Sequence, residues 1–95
     1  MQKVDRQGDK IFVTGEVNLD NLSDFCRSLK TKLKVDDVVS ISFASLDSKG
    51  SAILPLLIFL RRQERELGAT VTFKGCSSKV HEMARLAGLS EELGV

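Results

Sequence analysis

From Lys10 onward the apolar residues change spacing repeatedly, from every second position to every third or fourth and back again. Side chains alternate across a strand but return to one face of a helix every three or four residues. The switching therefore writes strand and helix in turn, which demands a sheet with helices laid against it. Within Lys10–Val17, residues Ile11, Val13 and Val17 share a face and Lys10, Thr14 and Glu16 lie opposite, as in a half-buried strand. A weaker strand at Lys3–Asp5 precedes it across the turn-like Arg6-Gln7-Gly8-Asp9, so a hairpin is expected. Asn18 is placed to cap the next helix, in which Leu22, Phe25, Cys26, Leu29 and Leu33 form one stripe. Val38–Phe43 alternates again, Ala44–Gly50 reads as a polar connection, and a long helix then runs to about Leu67 and stops at Gly68. Thr70–Lys74 is the last strand, burying Val71 and Phe73. Ser77 or Ser78 caps a third helix with Val80, Met83, Ala84 and Ala87 inward; Gly88 closes it, and Ser90 starts a short turn through Leu93.

The expected order is β-β-α-β-α-β-α, an α/β fold in one domain over residues 1–95 with a mixed sheet of about four strands. Two successive right-handed crossovers, with strands added in one direction, put their helices mainly on one face. Small polar residues at alternate strand positions leave the other face wet.

Ninety-five residues support one core, and 42% hydrophobic with 28% charged is an ordinary globular balance. Fourteen basic against thirteen acidic side chains give a net charge of +1, and there is no Trp or Tyr. Neither phosphate neutralisation nor base stacking is served by that composition, which argues against nucleic acid as a partner. The first residues carry no apolar signal stretch, and the longest apolar run, Ala52–Leu60, is too short to span a bilayer. Cys26 and Cys76 lie far apart and outside any C-x-x-C motif, as expected of reduced thiols in a cytoplasmic protein. Cys26 falls in a helical stripe and is expected to pack.

No catalytic constellation is visible. His81 is the only histidine and lies off the apolar stripe of its helix, the position of a solvated side chain. No cluster has zinc spacing and no G-x-G-x-x-G follows a strand, so neither metal nor cofactor is expected. Lys49-Gly50-Ser51 has the wrong order for a phosphate-binding loop, and the glycine such a loop needs upstream is replaced by Ala44.

Two features stand out. The first is Asp47-Ser48-Lys49-Gly50, between a buried strand and a helix start. Ser48 there is suited to cap the helix, at about 1 kcal/mol. A phosphate on the same hydroxyl would meet the positive end of the helix dipole, attracted by Lys49 and repelled by Asp47. The second is the long helix. Ile53, Leu56, Leu57, Leu60 and Leu67 make its sheet-facing side, while Leu54, Ile58 and Phe59 widen the apolar sector. Either another element covers that flank or it docks a partner. Pro55 is expected to kink the helix, and Arg61-Arg62-Gln63-Glu64-Arg65-Glu66 reads as its solvated end.

The succession of a strand, Leu46-Asp47-Ser48-x-Gly50, a long apolar helix, Gly68 and Val71-Thr72-Phe73-Lys74-Gly75 resembles a STAS domain. The last helix, with Lys79-Val80-x-x-Met83-Ala84-x-Leu86-x-Gly88-Leu89, and the opening Gly15-Glu16-Val17 are similar to the same family, so the likeness spans nearly the whole chain. In one branch, the anti-sigma-factor antagonists, the resemblance implies that a serine matching Ser48 is phosphorylated by an anti-sigma kinase. In the other, the MlaB-like proteins, it implies a non-catalytic cytoplasmic subunit that binds the ATPase of a phospholipid ABC transporter. That system maintains outer-membrane lipid asymmetry. The short chain, Gly15-Glu16 and Thr72-Phe73-Lys74-Gly75 favour the MlaB-like branch. Between Ser48 and Gly68 this chain is longer than the family pattern by about one helical turn, so Ser51 is an alternative match for the serine. Lys49 also replaces a usually small residue. The expected docking residues are Asp47, Ser48, Lys49, Gly50, Ser51, Leu54 and Ile58. They would serve the ATPase subunit or, alternatively, the anti-sigma kinase, with no direct insertion into a membrane.

Overall fold

The first hairpin closes on two residues. In the computed structural model, which describes residues 3–48 and 52–89, β1 (Lys3–Gln7) runs past Asp5 and pairs antiparallel with β2 (Lys10–Val17), Gln7 opposite Lys10. Gly8, at φ 64°, supplies the left-handed first position of the turn. The chain continues through α1 (Leu22–Lys32), β3 (Val38–Ser42), β4 (Leu46–Ser48), α2 (Ile53–Leu67), β5 (Thr70–Lys74) and α3 (Ser78–Leu86). A short strand, β4, thus interrupts what reads in sequence as polar connection. The expected turn from Ser90 to Leu93 lies outside the described residues.

Strands β1, β2, β3 and β5 lie side by side in that order, and β4 joins the far half of β2. β2 runs parallel to β3 and β4, and β3 parallel to β5. Phe12 faces Ser42 and Gly15 faces Leu46, so residues 13–14 of β2 stand beside residues 43–45. The neighbouring chain therefore holds one extra residue, a bulge-like step between β3 and β4.

The helices pack on one face, α2 touching both α1 and α3. Ile11, Val13 and Val17 of β2, Val39 and Ile41 of β3, and Val71 of β5 are buried beneath Phe25 and Leu29 of α1, Ile53, Leu56, Leu57 and Leu60 of α2, and Val80 and Ala84 of α3. On the opposite face Val38, Thr70, Thr72 and Lys74 are exposed and Phe12, Thr14, Ser40 and Ser42 half-buried, the wet side expected from their pattern. Ala87 is exposed instead of completing the stripe of α3.

Three local readings are corrected. Asn18 does not cap α1: the helix starts at Leu22 with Asn21 as its cap residue, and the Asn18 carboxamide organises the turn before it. Pro55 is the third residue of α2, in the first turn, where its N–H would have no partner within the helix. No bond is lost there, and the cause of the expected kink is absent. The charged end of α2 is not simply solvated. The Val71 N–H donates to Glu64 Oε2 at 2.6 Å and the Val71 carbonyl accepts from Arg61 Nη1 at 2.8 Å, while the Arg61 guanidinium lies 4.2 Å from the centre of the Phe73 ring. Arg61 and Glu64 thus satisfy the outer edge of β5, which no further strand covers among the described residues. Phe73 also meets Phe43 edge to face at 5.7 Å.

The end of the sheet where β2, β3 and β5 begin is tied by charge. Arg6 forms a two-pronged pair with Asp37 and donates to the Lys32 carbonyl at 2.7 Å; Asp37 also accepts from the Lys34 N–H at 3.0 Å. The hydrogen bonds from Arg6 hold the Asp37 carboxyl below the usual carboxylate range, against the opposing effect of burial. The Asp36 N–H reaches the Leu67 carbonyl and the Thr70 N–H the Asp37 carbonyl, joining this corner to the end of α2 and the start of β5. Gly68 caps α2 at φ 64°, as expected.

Candidate functional site

At the other end of the sheet, β2, β4 and β5 finish and α2 begins. β4 alternates as a strand must: Leu46 turns half-buried toward the core and Asp47 is exposed. Asp47 stands beside Glu16 and Ser48 beside Val17 in the β2–β4 ladder. Ser48 is therefore the last residue of a strand and not the cap of α2. The residue before α2 is Ala52, in helical geometry at φ −62° and ψ −22°, whose methyl side chain makes no capping bond. Lys49, Gly50 and Ser51 lie outside the described residues, as does the side chain of Ser48.

Leu54 and Ile58 are half-buried against the core, and so is Phe59. At 100° per residue Leu54 and Ile58 share the flank of α2 that carries Arg61, which reaches Val71 and Phe73 of β5. The extra apolar width thus serves packing in part, and Asp47 is the exposed member of the expected group within the described residues.

Beneath this end lies a small cavity of about 80 Å³, lined by Phe43, Ala44, Leu46, Ile53, Cys76 and Val80 among others. Gly75 seals one side: its φ is 73°, and an added Cβ would stand 2.7 Å from the Ala44 backbone nitrogen. Burial pushes both the Cys76 and the Cys26 thiols up, away from the reactive thiolate. The Ser77 hydroxyl accepts from the Val80 N–H at 3.4 Å and caps α3. His81 is exposed, and no three metal-binding side chains cluster among the described residues.

One element at this end went unnoticed in the sequence. The loop after β2 presents Leu19 with 77% of its surface exposed. Its backbone is clamped by two asparagines. The Asn18 N–H donates to Asn21 Oδ1 at 2.8 Å, and Asn18 Oδ1 accepts from the Asp20 and Asn21 N–H groups at 2.9 and 3.0 Å. Asn21 Nδ2 then donates to the Glu16 carbonyl at 2.7 Å. The Asn18-x-x-Asn21 spacing is the available signal; the sequence reading uses Asn18 alone, as a helix cap. The assembled end thus carries an exposed leucine on a loop whose backbone is held by its own side chains.

Comparison with curated proteins gave no match. Among solved structures, the anti-sigma factor antagonist SpoIIAA in its unphosphorylated form has a similar fold, with a TM-score of 0.64 at 16% identity, over 96% of this chain and 84% of that one. The family model described as “Mlab, STAS domain” matches residues 2–95. With the five-stranded mixed sheet, its one-sided helices and a match over nearly its full length, the chain belongs to the STAS domain family, in its MlaB type.

Proposed function

We propose that this protein is a non-catalytic subunit that binds the ATPase of a phospholipid ABC transporter and supports its assembly and activity. Its setting is the cytoplasmic face of the inner membrane, in transport that maintains outer-membrane lipid asymmetry. The observation that carries this reading is the MlaB-type match over residues 2–95. The geometry is in keeping with it: Asp47 is exposed on the rim where β4 ends, and no helix among the described residues is long and apolar enough to cross a membrane. Docking through the end that carries Asp47 and Ser48 is the role this shape suits.

Pull-down of the cognate ATPase subunit by the purified chain tests the reading. Binding by the wild type, lost in Ser48→Glu and weakened in Asp47→Arg, is the expected result. Full binding by both folded variants would move the interface elsewhere. The similarity to an antagonist fold gives the test its second arm, since incubation with an anti-sigma kinase and ATP followed by intact mass separates the two pathways. A chain that stays unmodified while binding the ATPase fits the transporter subunit; stoichiometric phosphorylation without ATPase binding points to the antagonist branch.

A further inference from the structure

We infer that β4 is a detachable strand, one that opens from β2 by itself while the rest of the domain stays folded. The opening is a property of the chain alone and does not rest on the transporter reading above. The ladder that holds β4 is short: Gly15 pairs with Leu46, Glu16 with Asp47 and Val17 with Ser48. β1 reaches along β2 only to Thr14, opposite Lys3, so among the described residues β4 is the sole strand beside Gly15–Val17. The sheet is two strands wide there, and a two-stranded ladder is marginal in water unless packing supports it. Packing supports β2 more than β4. Val17 is fully buried, whereas Leu46 is half-buried and borders the cavity of about 80 Å³. Side chains that line an empty space forgo contacts on that side.

The surrounding structure is anchored without β4. Upstream, the Phe43 N–H donates to the Lys74 carbonyl at 2.8 Å and the buried Phe43 ring meets Phe73, while Ala44 and Ser45 are exposed. Downstream, the next described residues, Ala52 and Ile53, are buried. On β2 the change of neighbour falls at Gly15, whose φ of 104° suits a residue without a side chain. The β2–β4 pairs are offset by one residue from the β2–β3 pairs, so breaking the first set shifts nothing in the second. The outer edge of β5 differs, being fastened by the Arg61 and Glu64 side chains. Units held by few buried contacts open at lower free energy than the whole domain. Opening carries Asp47 and Ser48 away from Glu16 and Val17. That end then has two arrangements, and a partner that grips one of them shifts the balance between them.

Amide hydrogen exchange of the purified chain, followed residue by residue by NMR, tests this. The amides that join β2 to β4 are expected to exchange at least about a hundredfold faster than those that join β2 to β3, with little acceleration by low urea. Ile41→Val changes a fully buried position of β3, in the part that stays folded. It is expected to speed the β2–β3 amides about three- to tenfold and to leave the β2–β4 amides unchanged. Equal protection of the two ladders would make β4 part of the global unit and overturn the proposal. So would β2–β4 amides that speed up in step with the core in Ile41→Val. Amides with no protection at all would show that β4 is unpaired in solution, and that result overturns it as well.

Discussion

The two ends of the sheet are built on different physics. Where β2, β3 and β5 start, Arg6 and Asp37 draw together the first hairpin, the end of α1 and the start of β3, and backbone bonds add α2 and β5. The Arg6 and Asp37 side chains keep only 22% and 12% of their surface exposed. Where β4 and β5 finish, the described contacts are a small apolar cavity, a glycine seam and a locally clamped loop with its leucine outside. One end joins polar side chains across several elements; the other packs apolar groups and keeps Leu19 outside. Burial without a partner is costly for charge, so the stability of the former end hangs on its ion pair more than that of the latter does.

The contrast is open to attack at several points. Asp37→Ala should have the largest effect, about 2–3 kcal/mol in urea unfolding, because it removes the two-pronged acceptor of Arg6 and the acceptor of the Lys34 N–H together. The pH dependence gives the sign independently. With its folded pKa lowered, Asp37 contributes stability that is fully present above the usual carboxyl range and lost as pH falls through the depressed value. Wild type should therefore lose more stability than Asp37→Asn between pH 6 and 3 in thermal melts; parallel curves would deny the ion pair its role.

Gly75→Ala comes next, at about 2 kcal/mol, since a Cβ meets the Ala44 backbone at a left-handed φ. It should also weaken partner binding, because the seam supports β4; a change in stability alone would separate the cavity from the docking rim. Arg61→Ala should cost about 1–2 kcal/mol by uncovering the edge of β5 and losing the contact with Phe73. Increased self-association by light scattering would mark the freed edge. The smallest effect on stability, within about 0.5 kcal/mol, is expected for Leu19→Ser at its exposed position.

How far the sequence discloses this molecule follows from what each element needs. β2, α1 and α2 are legible because each repeats its apolar spacing on a single buried face, and β5 because Val71 and Phe73 alternate with polar residues straight after the Gly68 stop. β4 is only Leu46–Ser48, too short to display a period of two, and its strand geometry comes from the ladder with β2. Ser48 imitates a helix cap because a serine ahead of an apolar run usually is one, yet it is paired with Val17 in a ladder and the cap position of α2 is Ala52. Arg61 and Glu64 look solvated because nothing local announces that β5 will be an edge strand with a bare Val71 peptide. Asn18 and Asn21 are chemically equivalent caps on paper; only the loop's closure tells them apart. The exposure of Leu19 is harder to read still, since it is set by which elements fail to cover a residue.

β2 changes neighbours along its length, taking Ser40–Ser42 first and Leu46–Ser48 after Gly15. A single rail thus carries two separate guests, and the slack of one residue lies between them. Because that slack falls between the two ladders, the register of β4 on β2 is set independently of the register of β3.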